Sequence, residues 1–210
     1  MSILVTAATD AELLPFRARF PEAEILITGV GSHATLFELT LALQKKKYHQ
    51  VIQVGIAGAY DERKTGQAFL VSKDRFADVG VWEKGGWASI FELGFAEQQQ
   101  PPFTEGWIVN THPMLIDAGI VGLKAISVNT LTDRNDWNQL MQQQFDAQLE
   151  SMEGAAFHYV CKKMNVPFIQ IRGVSNRVGE RDKSNWKISE AIQVSCELLA
   201  DVYQQLKKDE

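Results

Sequence analysis

Histidine and cysteine, which supply many of the metal ligands in proteins, are scarce in this sequence. There are four histidines and two cysteines among 210 residues. Their spacing matches no zinc site, so no metal is predicted. Two cysteines are also too few for a disulfide framework in a chain of this length. Cys161 and Cys196 fall in helix-like stretches, where a buried, reduced thiol is the expected state.

Long apolar runs and an excess of positive charge are missing as well. No run has the roughly 20 apolar residues of a membrane helix. The apolar start of the chain lacks basic residues and meets Asp10 and Glu12 too early for a signal peptide. The net charge is −5, and such a surface repels nucleic acid and anionic lipid. We therefore expect no nucleic-acid or membrane partner and a soluble, cytoplasmic protein.

What the sequence does contain is typical of one globular domain. Hydrophobic residues make up 45% and charged residues 22% of the chain, which are ordinary values for a folded protein. A chain of this length buries roughly 70% of its surface on folding. A single domain over residues 1–210 is predicted.

Short apolar runs alternate with stretches of helical spacing along the chain. Strands are predicted at residues 3–7, 24–28, 51–54, 125–128 and 166–171. Helices are predicted at residues 10–20, 33–46, 135–149, 152–164 and from 188 to the end. This alternation indicates an α/β domain with a mixed, largely parallel sheet. In such sheets ligands bind beyond the carboxyl ends of the strands.

Two glycine motifs fall at predicted strand ends. Thr28-Gly29-Val30-Gly31-Ser32-His33-Ala34 resembles a dinucleotide fingerprint, but no acidic residue ends the next strand to hold a ribose hydroxyl. A tight turn that lets backbone approach a small ligand is the preferred interpretation. Gly55-Ile56-Ala57-Gly58 either forms a plain turn or leaves backbone amides open at the sheet edge.

Three polar positions also follow predicted strands or open predicted helices. Glu12 is either a helix-end carboxylate or a general base. Glu153, next to Ser151, either belongs to a helix cap or accepts hydrogen bonds from a ribose diol. Arg172-Gly173-Val174-Ser175-Asn176-Arg177 is either a surface turn or part of a site. Neither a nucleophile elbow nor a phosphate loop is found.

The order of these motifs is more specific than any one of them. Glu12, Gly29-Val30-Gly31, Gly55-Ile56-Ala57-Gly58, Met152-Glu153-Gly154-Ala155-Ala156 and Arg172-Gly173-Val174-Ser175-Asn176 together resemble the purine nucleosidase and phosphorylase superfamily. The resemblance covers nearly the whole chain and is closest to the hydrolytic branch. That branch includes methylthioadenosine/S-adenosylhomocysteine nucleosidases and futalosine hydrolases. The middle of the chain, around Trp82, Trp87 and Phe91, looks like the latter family.

The resemblance implies a three-layer nucleoside phosphorylase/hydrolase-like fold and a nucleosidase that needs no cofactor. By the same resemblance, Glu12 and Asn176 are the catalytic residues, one as the base and the other at the departing purine. The substrate-binding residues it implies are Ala57, Gly58, Thr130, Leu131, Met152 and Glu153. A small-molecule nucleoside is the expected partner, together with further copies of the chain in a dimer or a dimer of dimers.

Asn176 is the position that selects a substrate class. Adenine-specific members of the superfamily carry aspartate there, whereas an amide suits a 6-oxopurine such as the hypoxanthine of futalosine. For the substrate's tail we expect an apolar surface from Trp82, Trp87 and Phe91, or else these aromatics belong to the core or to a subunit interface. Arg177 or Arg181 would supply a positive charge. An adenine-nucleoside hydrolase, a phosphorylase and a non-catalytic nucleoside-binding module stay open as alternatives.

Overall fold

The computed structural model describes residues 2–116 and 122–208. Its strands are β1 (Ile3–Ala7), β2 (Glu24–Ile27), β3 (Gln50–Ala59), β4 (Ala68–Asp74), β5 (Gly80–Glu83), β6 (Gly86–Ser89), β7 (Ile108–Val109), β8 (Leu123–Ser127), β9 (Leu149–Ser151) and β10 (Phe168–Arg177). Its α-helices are α1 (Leu14–Arg19), α2 (Ser32–Lys45), α3 (Pro113–Ile116), α4 (Asn135–Phe145), α5 (Gly154–Lys163) and α6 (Ile188–Lys208). A 3₁₀ turn, Asp10–Leu13, leads into α1.

The main sheet is mixed and partly closed. Strands β2, β1, β3 and β10 pair in parallel, in that order. Strand β4 pairs antiparallel with β10 and parallel with β8, β8 pairs parallel with β9, and β9 returns antiparallel to β3. Five strands thus form a ring from which β1 and β2 extend. Strands β5 and β6 form a separate hairpin.

Helices cover the sheet on two faces because its central strands are apolar on both sides. Ile3, Val5 and Ala7 of β1 join a core cluster with α1 and α6. Leu4, between them in the sequence, packs with α2 and α5 on the opposite face. This alternation follows from the two-residue side-chain period of a strand. The prediction of a three-layer α/β fold is therefore confirmed.

Two central strands are longer than their apolar runs. The predicted strand 51–54 continues through Gly55-Ile56-Ala57-Gly58, and the predicted strand 166–171 continues through Asn176. The interpretation of these two motifs as turns is wrong, because they pair with each other as parallel neighbours. Glycine has low strand propensity, so the pattern gave no signal that the strands continue.

The predicted helix 135–149 is shorter in the structure. It stops at Phe145, followed by Asp146 in the left-handed region with φ of 46°. The chain then forms the three-residue strand β9, which contains Glu150. Within residues 2–116 and 122–208, no helix has the length and apolar character required to cross a bilayer.

Candidate active site

A cavity of about 270 Å³ opens at the carboxyl ends of β1, β3 and β10. The start of α6, the segment before α5 and the strand β9 complete its wall. Of the eight residues predicted for the site, seven line this cavity: Glu12, Ala57, Gly58, Leu131, Met152, Glu153 and Asn176. Residues far apart in sequence thus converge at the sheet edge where α/β folds bind ligands.

Glu12 is held by three donors on the 3₁₀ turn after β1. Its Oε2 accepts hydrogen bonds from the backbone N–H and the hydroxyl of Thr9, both at 2.9 Å. Its Oε1 accepts one from the backbone N–H of Ile56 at 3.0 Å. Thr9 and Glu12 form a capping box, so the interpretation of Glu12 as a helix-end carboxylate is confirmed. The carboxylate is 8% exposed and faces the cavity in a fixed orientation.

Gly55 makes room for two charged groups at the base of the cavity. A Cβ at this position would lie 2.5 Å from Nη1 of Arg172 and 2.9 Å from Oε1 of Glu12. Arg172 is 1% exposed, and its Nη2 donates to the side-chain oxygen of Gln53 at 2.8 Å. A side chain at residue 55 would displace this pair, so the glycine is required by close approach.

Glu153 lies beside the glycine turn that resembled a dinucleotide fingerprint. Its Oε1 accepts a hydrogen bond from the backbone N–H of Gly31 at 3.0 Å, and Nη1 of Arg172 lies 3.6 Å from its Oε2. The hydroxyl of Ser32 donates to the carbonyl of Met152 at 3.0 Å. The turn therefore positions Met152 and Glu153, which agrees with its interpretation as a turn near a small ligand.

A buried network fixes the first turn of α5, for which Glu153 is the N-cap residue. The hydroxyl of Ser127 accepts from the backbone N–H of Ala155 at 2.8 Å and donates to Asp74 at 3.0 Å. Burial raises the pKa of Asp74 to about 6. A Cβ on Gly154 would fall 2.0 Å from Oδ2 of Asp74, so this position has no space for a side chain.

Asn176 follows a bulge in β10, where the register with β3 shifts between Val174 and Asn176. Its Oδ1 accepts from the hydroxyl of Ser175 at 2.6 Å, and its Nδ2 donates to the carbonyl of Arg177 at 2.8 Å. An amide nitrogen has two N–H groups, so one remains for a ligand. The side chain is 8% exposed, with the cavity beside it.

The loop after β8 differs from the prediction at one residue. Leu131 and Thr132 line the cavity, whereas Thr130 is exposed and lies outside the lining. The two-residue assignment at positions 130 and 131 is therefore displaced by one residue. A loop has no hydrophobic period, so sequence spacing alone does not decide which residues face inward.

The aromatic residues predicted for a substrate tail are not in the cavity wall. Trp82 and Trp87 pack with Trp137, with ring centroids 5.4 to 6.3 Å apart. Phe91 packs edge-on against Phe103. This part of the prediction is wrong, because none of the three rings lines the cavity. They pack beside the β5–β6 hairpin, where Trp82 is 54% exposed.

The cavity has a different aromatic residue and a cation on the loop between β10 and α6. Trp186 is half-buried and lines the cavity, and the guanidinium of Arg181 lies 5.2 Å from the centroid of its ring. Arg181 was one of the two predicted cations. Arg177, the other, is exposed and is not part of the cavity wall. No sequence pattern indicated that Trp186 lines a cavity, because it is an isolated aromatic residue in a polar stretch.

Glu150 is a third carboxyl group in the cavity wall, and sequence reasoning missed it. It is 5% exposed and accepts one long hydrogen bond, 3.4 Å, from the hydroxyl of Tyr60. Burial raises the pKa of Glu150 to about 7. Across the described ranges, no three His, Cys, Asp or Glu side chains gather in a way that could hold a metal ion.

A family profile for the phosphorylase superfamily matches residues 21–206 of this sequence. The chain belongs to the phosphorylase superfamily. The order of the motifs predicts this membership. The matched range includes all of the site residues described above except Thr9 and Glu12, which precede it.

The relatives of this chain within the superfamily carry two different enzyme names. A futalosine hydrolase of Acidothermus cellulolyticus is 30% identical over 176 residues, covering 81% of this chain and 70% of its own. A 5′-methylthioadenosine/S-adenosylhomocysteine nucleosidase of Shewanella denitrificans is 29% identical over 163 residues, covering 73% of this chain and 68% of its own. The predicted class of enzyme, one that cleaves N-glycosidic bonds, is confirmed by these names.

A solved structure of the superfamily has the same fold. The futalosine hydrolase of Helicobacter pylori superposes with a TM-score of 0.79 at 16% identity, and the match covers 97% of each chain. At this identity the likeness supports the architecture alone. The choice between the two names therefore depends on the residues of the cavity.

Proposed function

We propose that this protein hydrolyses the N-glycosidic bond of futalosine and releases hypoxanthine, as a step of the futalosine route to menaquinone. The observation that carries the proposal is the amide at Asn176, where adenine-specific members have aspartate. A 6-oxopurine has two acceptors on one edge, N7 and O6, whereas adenine has an acceptor and an amino donor. The free N–H of Asn176 suits an acceptor such as N7 or O6, whereas its Oδ1 already accepts from the hydroxyl of Ser175.

In the proposed reaction Glu12 is the base. It takes a proton from water as the water oxygen bonds to the anomeric carbon and the bond to the purine nitrogen breaks. A base positioned in this way contributes roughly 10²–10⁴-fold to the rate. The hydrogen bonds from Thr9 and Ile56 restrict the carboxylate to one orientation. That restriction lowers the entropy cost of reaching the transition state.

Glu153 and the backbone at Met152 would hold the ribose. One oxygen of Glu153 is occupied by Gly31 N–H, and the other is 3.6 Å from Arg172, beyond hydrogen-bond distance. That second oxygen can accept from the sugar hydroxyls. The carboxylates of Glu12 and Glu153 also stabilise the positive charge that develops on the sugar as the bond breaks. Ala57 and Gly58 would form the floor of the cavity beneath the purine ring.

For the 5′ tail, which in futalosine carries a benzoate, the cavity offers Arg181 and Trp186. A guanidinium binds a carboxylate with two hydrogen bonds, and the indole ring provides an apolar surface for the aromatic ring. Ile188 and Ile192 of α6 extend the apolar part of the wall. This set replaces the three aromatics first expected.

We further propose that the chain acts as one domain, in the cytoplasm, and as a homo-oligomer. The support for an oligomer is the exposure of two large apolar side chains. Val30, which is 60% exposed, lines the cavity, and Phe37, 63% exposed, lies on α2 two turns into the helix. Light scattering of the purified protein would measure the mass directly, and a monomer would contradict this part of the proposal.

The decisive experiment is product analysis by mass spectrometry. Futalosine, inosine and methylthioadenosine are each incubated with the protein, with and without phosphate, and Glu12→Gln serves as the control for contaminating hydrolases. Hypoxanthine and a free sugar from futalosine are expected, without dependence on phosphate. If methylthioadenosine is the only substrate cleaved and adenine is released, the protein is a methylthioadenosine/S-adenosylhomocysteine nucleosidase. A sugar phosphate would identify a phosphorylase, and binding without products a binding module.

A further inference from the structure

Glu150 has no role in the reaction described so far, although it lies beside the site of the purine. In the sheet it is paired with Gly58, antiparallel, and Gly58 is paired on its other side with Asn176. Residues paired directly across strands project from the same face of a sheet. Glu150 and Asn176 therefore flank Gly58 on one face, and all three residues line the cavity. A Cβ on Gly58 would lie 3.1 Å from Cγ2 of Val178 and 3.6 Å from Nδ2 of Asn176, so the glycine lets these groups pack closely.

The surroundings of Glu150 differ from those of the other two carboxyl groups in the cavity. Glu12 accepts three hydrogen bonds, and Glu153 has Gly31 N–H and a nearby arginine. Glu150 has only the 3.4 Å contact with Tyr60 and, among the described residues, no ion pair. A buried carboxyl with so few donors is stabilised in its neutral form.

The charged and titratable groups around Glu150 act in both directions on its protonation. Burial raises its pKa to about 7, and the negative charge of Asp78 acts in the same direction. The hydroxyl of Tyr60 and the positive charge of Arg181 lower that pKa. Burial, followed by the charge of Glu150, raises the pKa of Tyr60, so its phenol stays protonated as a donor. Glu12 and Glu153 line the same cavity.

The proposed reaction lacks a proton donor for the purine. As the bond to the sugar breaks, its electron pair moves onto the purine ring, which leaves as an anion unless it is protonated. The amide of Asn176 can donate a hydrogen bond but not a proton. Enzymes that use two carboxyl groups as base and acid place them in different surroundings. Here Glu12 accepts three hydrogen bonds, whereas the buried Glu150 accepts one long one.

We propose that Glu150 is the general acid of the site and protonates the purine as it departs. The inference rests on the proposed function. The water oxygen bonds to the anomeric carbon, the water proton goes to Glu12, and the Glu150 proton goes to a purine nitrogen. After the products leave, Glu12 loses its proton to solvent and Glu150 regains one. Because Tyr60 donates to Oε2, the acidic proton is carried by Oε1.

The test compares Glu150→Gln with the wild type on two leaving groups. Inosine needs protonation of its base, whereas 4-nitrophenyl β-riboside releases a stable phenolate without it. We expect kcat for inosine to fall by roughly 10²–10⁴-fold and kcat for the nitrophenyl substrate to stay near the wild-type value. The wild-type rate on inosine should decline above about pH 7, where Glu150 ionises, and the variant should lack this decline.

Two further variants separate an acid from a structural carboxyl. Tyr60→Phe removes a hydrogen bond that favours the ionised form, so the decline in rate should move to higher pH while the acid is retained. Glu97→Gln changes an exposed glutamate outside the cavity wall and should leave both substrates and the pH profile unchanged. The melting temperature of each variant shows whether the fold is intact.

The outcomes that overturn the inference are distinct from those that overturn the proposed function. The acid role is excluded if Glu150→Gln loses the same factor in kcat on both substrates or loses none on inosine. It is also excluded if the pH profile of Glu150→Gln equals that of the wild type. If Glu150→Gln does not fold, an unmoved pH profile in Tyr60→Phe excludes it instead. A folded wild-type protein that releases no purine from any nucleoside overturns the proposed function, and the inference with it.

Discussion

Asn176→Asp is the substitution that tests most directly how the cavity selects its purine. The two side chains have the same shape, so the change alters hydrogen bonding and charge but not volume. In the structure Nδ2 of Asn176 lies 2.8 Å from the carbonyl oxygen of Arg177, and Oδ1 lies 2.6 Å from the hydroxyl of Ser175. An aspartate would bring a second oxygen against that carbonyl, so two acceptors would face each other.

The magnitude follows from the number of donors lost. The amide has two N–H groups, one for Arg177 and one for the purine, whereas a protonated aspartate has one proton and an ionised aspartate none. Each buried acceptor left without a donor costs about 1–3 kcal/mol. Since 1.4 kcal/mol corresponds to a factor of ten, kcat/KM for a hypoxanthine nucleoside should fall by roughly tenfold to hundredfold.

The assay measures kcat/KM for a hypoxanthine nucleoside and an adenine nucleoside, at mildly acidic and at neutral pH. Relative preference should move toward adenine, whose amino group the new oxygen accepts, and more so in acid, where the aspartate keeps a proton for N7. Asn176→Ala is the matched control, because it removes the amide without adding an acceptor and should weaken both substrates. An unchanged ratio in Asn176→Asp would refute the reasoning, since the side chain would then not contact the base.

Three other substitutions test the remaining parts of the site and the fold. Glu12→Gln should lower kcat by roughly 10²–10⁴-fold with little change in KM, and near-normal turnover would leave Glu12 with its capping role only. Arg181→Met should raise KM for futalosine but not for inosine, and an equal rise in steady-state KM for both would exclude a tail contact. Gly173→Ala should lower the free energy of unfolding by about 1–3 kcal/mol, because its Cβ would lie 2.1 Å from the carbonyl oxygen of Ala191. Denaturant unfolding measures that loss, and a stability equal to wild type would contradict the packing described for α6.

The order of motifs was enough to predict the superfamily and the convergence of Glu12, Glu153 and Asn176. Glu12 and Asn176 follow apolar runs and Glu153 opens a predicted helix, and the carboxyl ends of neighbouring strands meet at one edge of the sheet. The extent of the strands was not predictable in the same way. Gly55 and Gly173 lie inside β3 and β10 because Arg172 and α6 need the space, and such contacts are tertiary.

Glu150 and Trp186 show a different limit of sequence reasoning. Glu150 lies just beyond the predicted helix 135–149, and the strand Leu149–Ser151 is too short to show a two-residue period. Only the antiparallel pairing with Gly58 brings it to the cavity. Trp186 follows a short 3₁₀ turn in a polar loop, where no periodicity exists to indicate which side chain faces inward.

Arg172 explains how two carboxylates can share a small cavity and still be available to a substrate. Its guanidinium is buried below Glu12 and Glu153, close enough to offset their mutual repulsion. It is 3.6 Å from Glu153 and uses Nη2 for Gln53 instead. A direct hydrogen bond would engage the oxygen that the proposed contact with the ribose hydroxyls uses. The arginine therefore balances charge from a distance, and Gly55 preserves that distance because any side chain there would displace the guanidinium.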